Sequence, residues 1–131
     1  MLSFDPLADC SILCAKNVEG VESMEISEHI VVLVTAGTEP EARQIAKSLV
    51  EKRLVACVNI LPVSSLYMWE DELREDHEVL MVIKSTSEVF REKLLVAIQD
   101  AHSYDVPELI GMPIVLGSPD YLKWISTQVE G

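Results

Sequence analysis

Histidine, tyrosine and two carboxylates crowd one short stretch, His102-Ser103-Tyr104-Asp105-Val106-Pro107-Glu108. A neutral imidazole with carboxylate oxygens can ligate a borderline or transition ion such as Cu(II) or Zn(II). His102 and Glu108 are therefore candidate metal ligands. His102 also closes a helical pattern, and a helix C-terminus favours histidine through its dipole and last carbonyls, so a purely structural role stands beside the metal reading. His29 opens a strand and His77 lies among charges, both ordinary surface settings. Cys57, between Ala56 and Val58, reads as a small strand hydrophobe, with a reactive thiol as the alternative. Lys84 ends a strand and could hold an anion, although such lysines ordinarily extend into solvent. Cys10 and Cys14 form a C-x3-C pair without the second pair that a soft metal site uses.

Other chemistries leave no trace. The five glycines, at 20, 37, 111, 117 and 131, allow neither G-x-G-x-x-G nor a P-loop. No H-E-x-x-H and no G-x-S-x-G is present, and no nucleophile–base pair can be picked out. An enzyme is not expected.

The elements that must position these residues are legible from periodicity. His29 to Thr35 is a β-branched apolar run suited to a central strand covered on both faces or nearly so. Thr38-Glu39-Pro40-Glu41 predicts a helix start with a T-x-x-E capping box, followed by a stripe of Ala42, Ile45, Ala46, Leu49 and Val50. Leu54 to Trp69 and Glu72 to Lys84 predict a long hairpin turning at Glu70-Asp71, with Pro62 forcing a bulge, a bend or an edge position. Its outer half is highly charged and has no core of its own to pack on. Ser85 to Glu88 predicts a second capping box, leading a helix with Phe90, Leu94, Ala97, Ile98 and Ala101 on its inner side. Leu109 to Leu116, interrupted by Gly111 and Pro113, suits an edge strand. Ser118-Pro119-Asp120 opens a short final helix. The order β-α-β-β-α-β plus a helix predicts an α+β, ferredoxin-like sandwich with the helices on one face.

Residues 1–28 show no sustained period and no secretory pattern, and read as a flexible N-terminal extension to a domain over 29–131. In all, 131 residues suffice for one domain. The formal net charge of −12 opposes binding to a nucleic-acid backbone or an anionic membrane surface. The longest apolar run, Ile30 to Val34, is far short of a membrane span. Three cysteines are too few and odd in number for a secreted disulfide scaffold, so a cytoplasmic protein is expected.

Several strings together resemble the CutA divalent-cation tolerance proteins. They are Leu54-Val55-Ala56-Cys57-Val58-Asn59-Ile60-Leu61-Pro62, Ser65-Leu66-Tyr67-Met68-Trp69, Ile83-Lys84, His102-Ser103-Tyr104, Val106-Pro107-Glu108 and Asp120-Tyr121-Leu122-Lys123-Trp124. The resemblance covers about residues 29–129. It implies a homotrimer like that of the PII signalling proteins, with hairpins pairing between subunits. It also implies binding of divalent metal, copper first, with His102 and Glu108 at positions associated with metal. Three departures stand out: Trp69-Glu70-Asp71 where the family often has W-E-G, His102-Ser103-Tyr104 where it often has H-P-Y, and Val34 where some members carry a copper-linked cysteine. The alternative function is a PII-like signalling or scaffold trimer that binds a small metabolite in clefts between subunits.

Overall fold

The computed structural model describes residues 28–130. Apart from Glu28, the expected N-terminal extension lies outside the described residues, and with it the Cys10–Cys14 pair. Four strands, β1 (His29–Ala36), β2 (Cys57–Trp69), β3 (Glu72–Thr86) and β4 (Leu109–Pro113), form one sheet in the order β2-β3-β1-β4. Every neighbouring pair is antiparallel. The fold class is α+β, as expected.

Alternation places Ile30, Val32, Val34 and Ala36 of β1 on one face, beside Val79, Met81 and Ile83 of β3, all buried. Helix α1 (Glu39–Glu51) covers that face with Ala42, Ile45, Ala46 and Leu49. Val50, expected in the same stripe, is 43% exposed, because it lies too far round the helix. Thr38 caps α1 by accepting the Glu41 amide at 3.3 Å, but the Glu41 side chain does not close the box. Its carboxylate turns to the Ser103 amide, 3.1 Å away.

The second helix, α2, is composite: α-helical over Ser87–Val89, π-helical over Phe90–Leu94 and α-helical over Leu95–Ala101. Val89, Leu94 and Ile98 are its buried residues. In a regular α-helix Val89 and Leu94, five apart, would point about 140° from each other. The wider turn brings them onto one face, which is why the expected stripe omitted Val89. The cap is Thr86, which accepts the Val89 amide at 3.4 Å, rather than Ser85. Ser85 is fully buried and its hydroxyl donates to the Leu54 carbonyl at 2.7 Å.

Pro62 lies on β2, an outer strand, where a missing donor costs no ladder bond. Strand β4 is the other edge, as expected, but it ends at Pro113 rather than Leu116. The final helix, α3 (Pro119–Gln128), departs from the expected one-faced arrangement. Its Ser126 hydroxyl meets His29 Nε2 at 2.6 Å, and Tyr121 lies against Cys57. His29 and Cys57 belong to the sheet face that α1 leaves open, so α3 crosses one end of that face.

The hairpin turn is tight, with Glu70 at φ 51° and Asp71 at φ 62°. Both are left-handed, the geometry in which glycine at the second position is favoured. Asp71→Gly is expected to stabilise the protein by about 0.5–1 kcal/mol, measured as a higher denaturant midpoint at unchanged slope.

Candidate functional site

The end of β1, the first turn of α1 and the last turn of α2 converge, and the loop over residues 102–108 closes on them. His102 is 8% exposed and its ring points inward. Nε2 lies 2.6 Å from the Thr35 carbonyl oxygen, and the Tyr104 amide donates to Nδ1 at 3.0 Å. A carbonyl can only accept and an amide can only donate, so these partners assign the proton to Nε2 and the lone pair to Nδ1. Both ring nitrogens are engaged.

Tyr104 continues the chain of contacts. Its ring centroid lies 4.8 Å from that of His102, at 48°. Its hydroxyl donates to Glu78 Oε1 at 3.1 Å and passes over Gly37, where an added Cβ would lie 3.1 Å from that oxygen. Burial, followed by the bond to Glu78, pushes the Tyr104 hydroxyl up to about 12. Between a pH of about 10, where an unfolded tyrosine ionises, and about 12, the folded protein alone keeps this proton. Any stability that this proton contributes is therefore complete below the window and lost as pH rises through it. Ultraviolet titration should show one tyrosine ionising near the top of that window, and Tyr104→Phe should remove this transition. Glu41 is shifted the other way. The hydrogen bond from Ser103 holds its carboxyl below the usual value, outweighing its partial burial.

The structure thus joins His102 to Thr35, Tyr104, Glu41 and Glu78. Glu108, the other candidate ligand, is exposed immediately ahead of β4. Glu41, Glu78 and Gly37 were not singled out from the sequence. Glu41 had been assigned to a cap, and Glu78 is one of five charges in the first half of its strand. His77 is exposed, with Nδ1 3.4 Å from the Ser64 hydroxyl. Further along the hairpin, Tyr67 donates to Asp76, which pushes the Tyr67 hydroxyl up.

The family model of the CutA1 divalent ion tolerance protein matches residues 30–128. The chain belongs to the CutA1 family. It is 47% identical over 96 residues to the divalent-cation tolerance protein CutA of Thermus thermophilus, covering 72% of this chain and 92% of that one. It is 41% identical over 110 residues to the chloroplastic CutA protein of Arabidopsis thaliana, covering 83% of this chain and 60% of that one. The solved structure of the periplasmic divalent cation tolerance protein CutA from Archaeoglobus fulgidus superposes with a TM-score of 0.74 at 39% identity, over 78% of this chain and 99% of that one. None of these names describes an enzyme. No helix among the described residues is long and apolar enough to cross a membrane.

CutA1 membership implies a relation to divalent ions, and the donor set can be tested for one. Among the described residues, no three His, Cys, Asp or Glu side chains come together in a way that could hold a metal ion. With Nε2 on a main-chain carbonyl and Nδ1 on a main-chain amide, His102 offers no open lone pair. In this conformation the described residues of one protomer do not fit a metal centre. Val34 is fully buried on the helix-covered face and supplies no ligand.

Proposed function

We propose that the protein acts in divalent-cation tolerance as a non-catalytic, cytoplasmic homotrimer, built as a ferredoxin-like protomer in a PII-like arrangement. Family membership supports the role. The observation that carries the trimer is the distribution of exposed apolar side chains. Leu66, Met68 and Leu73 of the hairpin are 62%, 63% and 69% exposed, and Val115 and Leu116 beyond β4 are 80% and 89% exposed. An apolar surface of this kind on a chain with net charge −12 marks an association site rather than a solvated face. The outer edges of β2 and β4 also leave strand groups that a neighbouring copy can pair.

The proposed ion is Cu(II) ahead of Zn(II), in the Irving–Williams order. The proposed ligands are His102 and Glu108, in a form of the 102–108 loop where the Tyr104 amide has left Nδ1. Native mass spectrometry of metal-free protein, titrated separately with Cu(II) and Zn(II), tests the reading. The expected result is a trimer that retains copper at stoichiometric loading and releases it on Glu108→Gln. A monomer at micromolar concentration overturns the assembly. A trimer that holds no copper but carries a small molecule from the cell overturns the metal reading in favour of a PII-like metabolite binder.

A further inference from the structure

A second group of reactive side chains lies at the opposite end of the sheet from His102. Cys57 of β2 and Lys84 of β3 are directly paired across the strands, so their side chains leave the same face. Lys84 Nζ approaches Cys57 Sγ to 3.9 Å. Asn59, two residues along the same face, gathers both: its Oδ1 accepts from Lys84 Nζ and lies 3.9 Å from Cys57 Sγ. On the other side Tyr121 of α3 lies against Cys57. Cys57 is half-buried and free of any disulfide. A thiol and a primary amine are thus held side by side by a shared acceptor, with no partner cysteine among the described residues.

We propose that Cys57 and Lys84 form an oxidative cross-link, a sulfenamide, in response to a peroxide. In the first step the Cys57 thiolate attacks one oxygen of hydrogen peroxide. An S–O bond forms, the O–O bond breaks and hydroxide leaves. The sulfur is oxidised to the sulfenic acid, and the peroxide is reduced to water once the hydroxide takes the thiol proton. In the second step the Lys84 amine, having given its extra proton to solvent, attacks that sulfur. An S–N bond forms, the S–O bond breaks, and the departing hydroxide takes a proton from the nitrogen as water. The net reaction consumes one peroxide and releases two waters, and the protein ends two hydrogens lighter. The four-carbon lysine stem supplies the movement that closes the gap, and condensation spares the sulfur from irreversible oxidation. A thiol reductant reopens the bond. This site is independent of the metal reading.

The test uses the full chain treated with hydrogen peroxide, then unfolded and digested with trypsin. The cross-link blocks cleavage at Lys84, so the peptide Leu54–Arg74 should appear joined to Glu75–Arg91, two hydrogens lighter than their sum. Dithiothreitol should separate them. Lys84→Arg keeps the charge but removes the amine, and should stop at a sulfenic acid that dimedone labels. Asn59→Ala should slow the joining several-fold without altering the fold, since Asn59 is exposed. Absence of the joined peptide in the parent overturns the proposal. So does a disulfide from Cys57 to Cys10 or Cys14 as the main product, or equal dimedone labelling of the parent and Lys84→Arg.

Discussion

His102→Ala is expected to lower the unfolding free energy by about 3 kcal/mol, while Glu108→Gln changes it by less than about 0.5 kcal/mol. The imidazole bridges two main-chain groups from separate elements, the Thr35 carbonyl at the end of β1 and the Tyr104 amide beyond α2. Each bond contributes about 1 kcal/mol net, and an orphaned polar group at this depth costs about 1–3 kcal/mol more. The ring is also nine-tenths covered and packs against Tyr104, so its removal leaves a void. Glu108 is exposed and has no comparable role. Denaturant unfolding of the two variants at one protein concentration measures the difference. Equal midpoints for His102→Ala and the parent would show that the ring does not tie β1 to the loop. The prediction also governs how a metal experiment is read. Copper lost in His102→Ala is ambiguous, because the loop collapses with the site, whereas copper lost in Glu108→Gln is not.

The contrast between these two residues shows where sequence reading works and where it stops. Strand positions were legible because an apolar run is a local signal, but the unbroken runs Ile30–Val34 and Val79–Ile83 suggested cover on both faces, whereas only alternate residues such as Val32, Val34, Met81 and Ile83 are fully buried. Helix α1 was legible for the same reason, since Thr38, Glu39, Pro40 and Glu41 are start signals and the stripe keeps a regular period. The hairpin and its turn followed from two runs separated by two charged residues, Glu70 and Asp71, of which Asp71 tolerates the positive φ that both adopt. Helix α2 was only half legible. The π-helical turn adds a residue to one revolution, and nothing in Phe90-Arg91-Glu92-Lys93-Leu94 announces it, so Val89 was missed ahead of that turn while Leu94 and Ile98 were read correctly beyond it.

The site was legible in its loop but not in its partners. His102 and Tyr104 lie close in sequence, whereas Thr35, Gly37, Glu41 and Glu78 reach them only through the fold. A histidine at a helix end offers the same signal whether its ring turns outward to an ion or inward to a strand carbonyl. The deciding fact is the position of Thr35, sixty-seven residues away. Cys57 and Lys84 show the same limitation, since their pairing depends on hairpin register. A slip of one residue would put them on opposite faces.

Register also sets up the test of assembly. On the extended hairpin, Leu66, Met68 and Leu73 share one face: Met68 pairs directly with Leu73, and Leu66 lies two residues along β2 from Met68. Among the described residues no helix of the same protomer covers them, for α1 and α2 cover the base of the hairpin, where Val79, Met81 and Ile83 are buried. Replacing Leu66 and Leu73 together by glutamate is therefore expected to leave the protomer folded and to dissociate the trimer. Each leucine transferred to an interface contributes about 2 kcal/mol, so the pair weakens association by roughly 4 kcal/mol per subunit, about a thousandfold. The introduced charge raises that figure, because an unpaired carboxylate resists burial. Light scattering at micromolar concentration should give the trimer mass for the parent and the monomer mass for the double variant, with matching far-ultraviolet circular dichroism. The thermal midpoint of the parent should rise with concentration, and that of the variant should not, because only the parent gains stability from its neighbours. A double variant that stays trimeric would place the interface away from the hairpin, leaving the edges of β2 and β4 and the exposed Val115 and Leu116 to account for association.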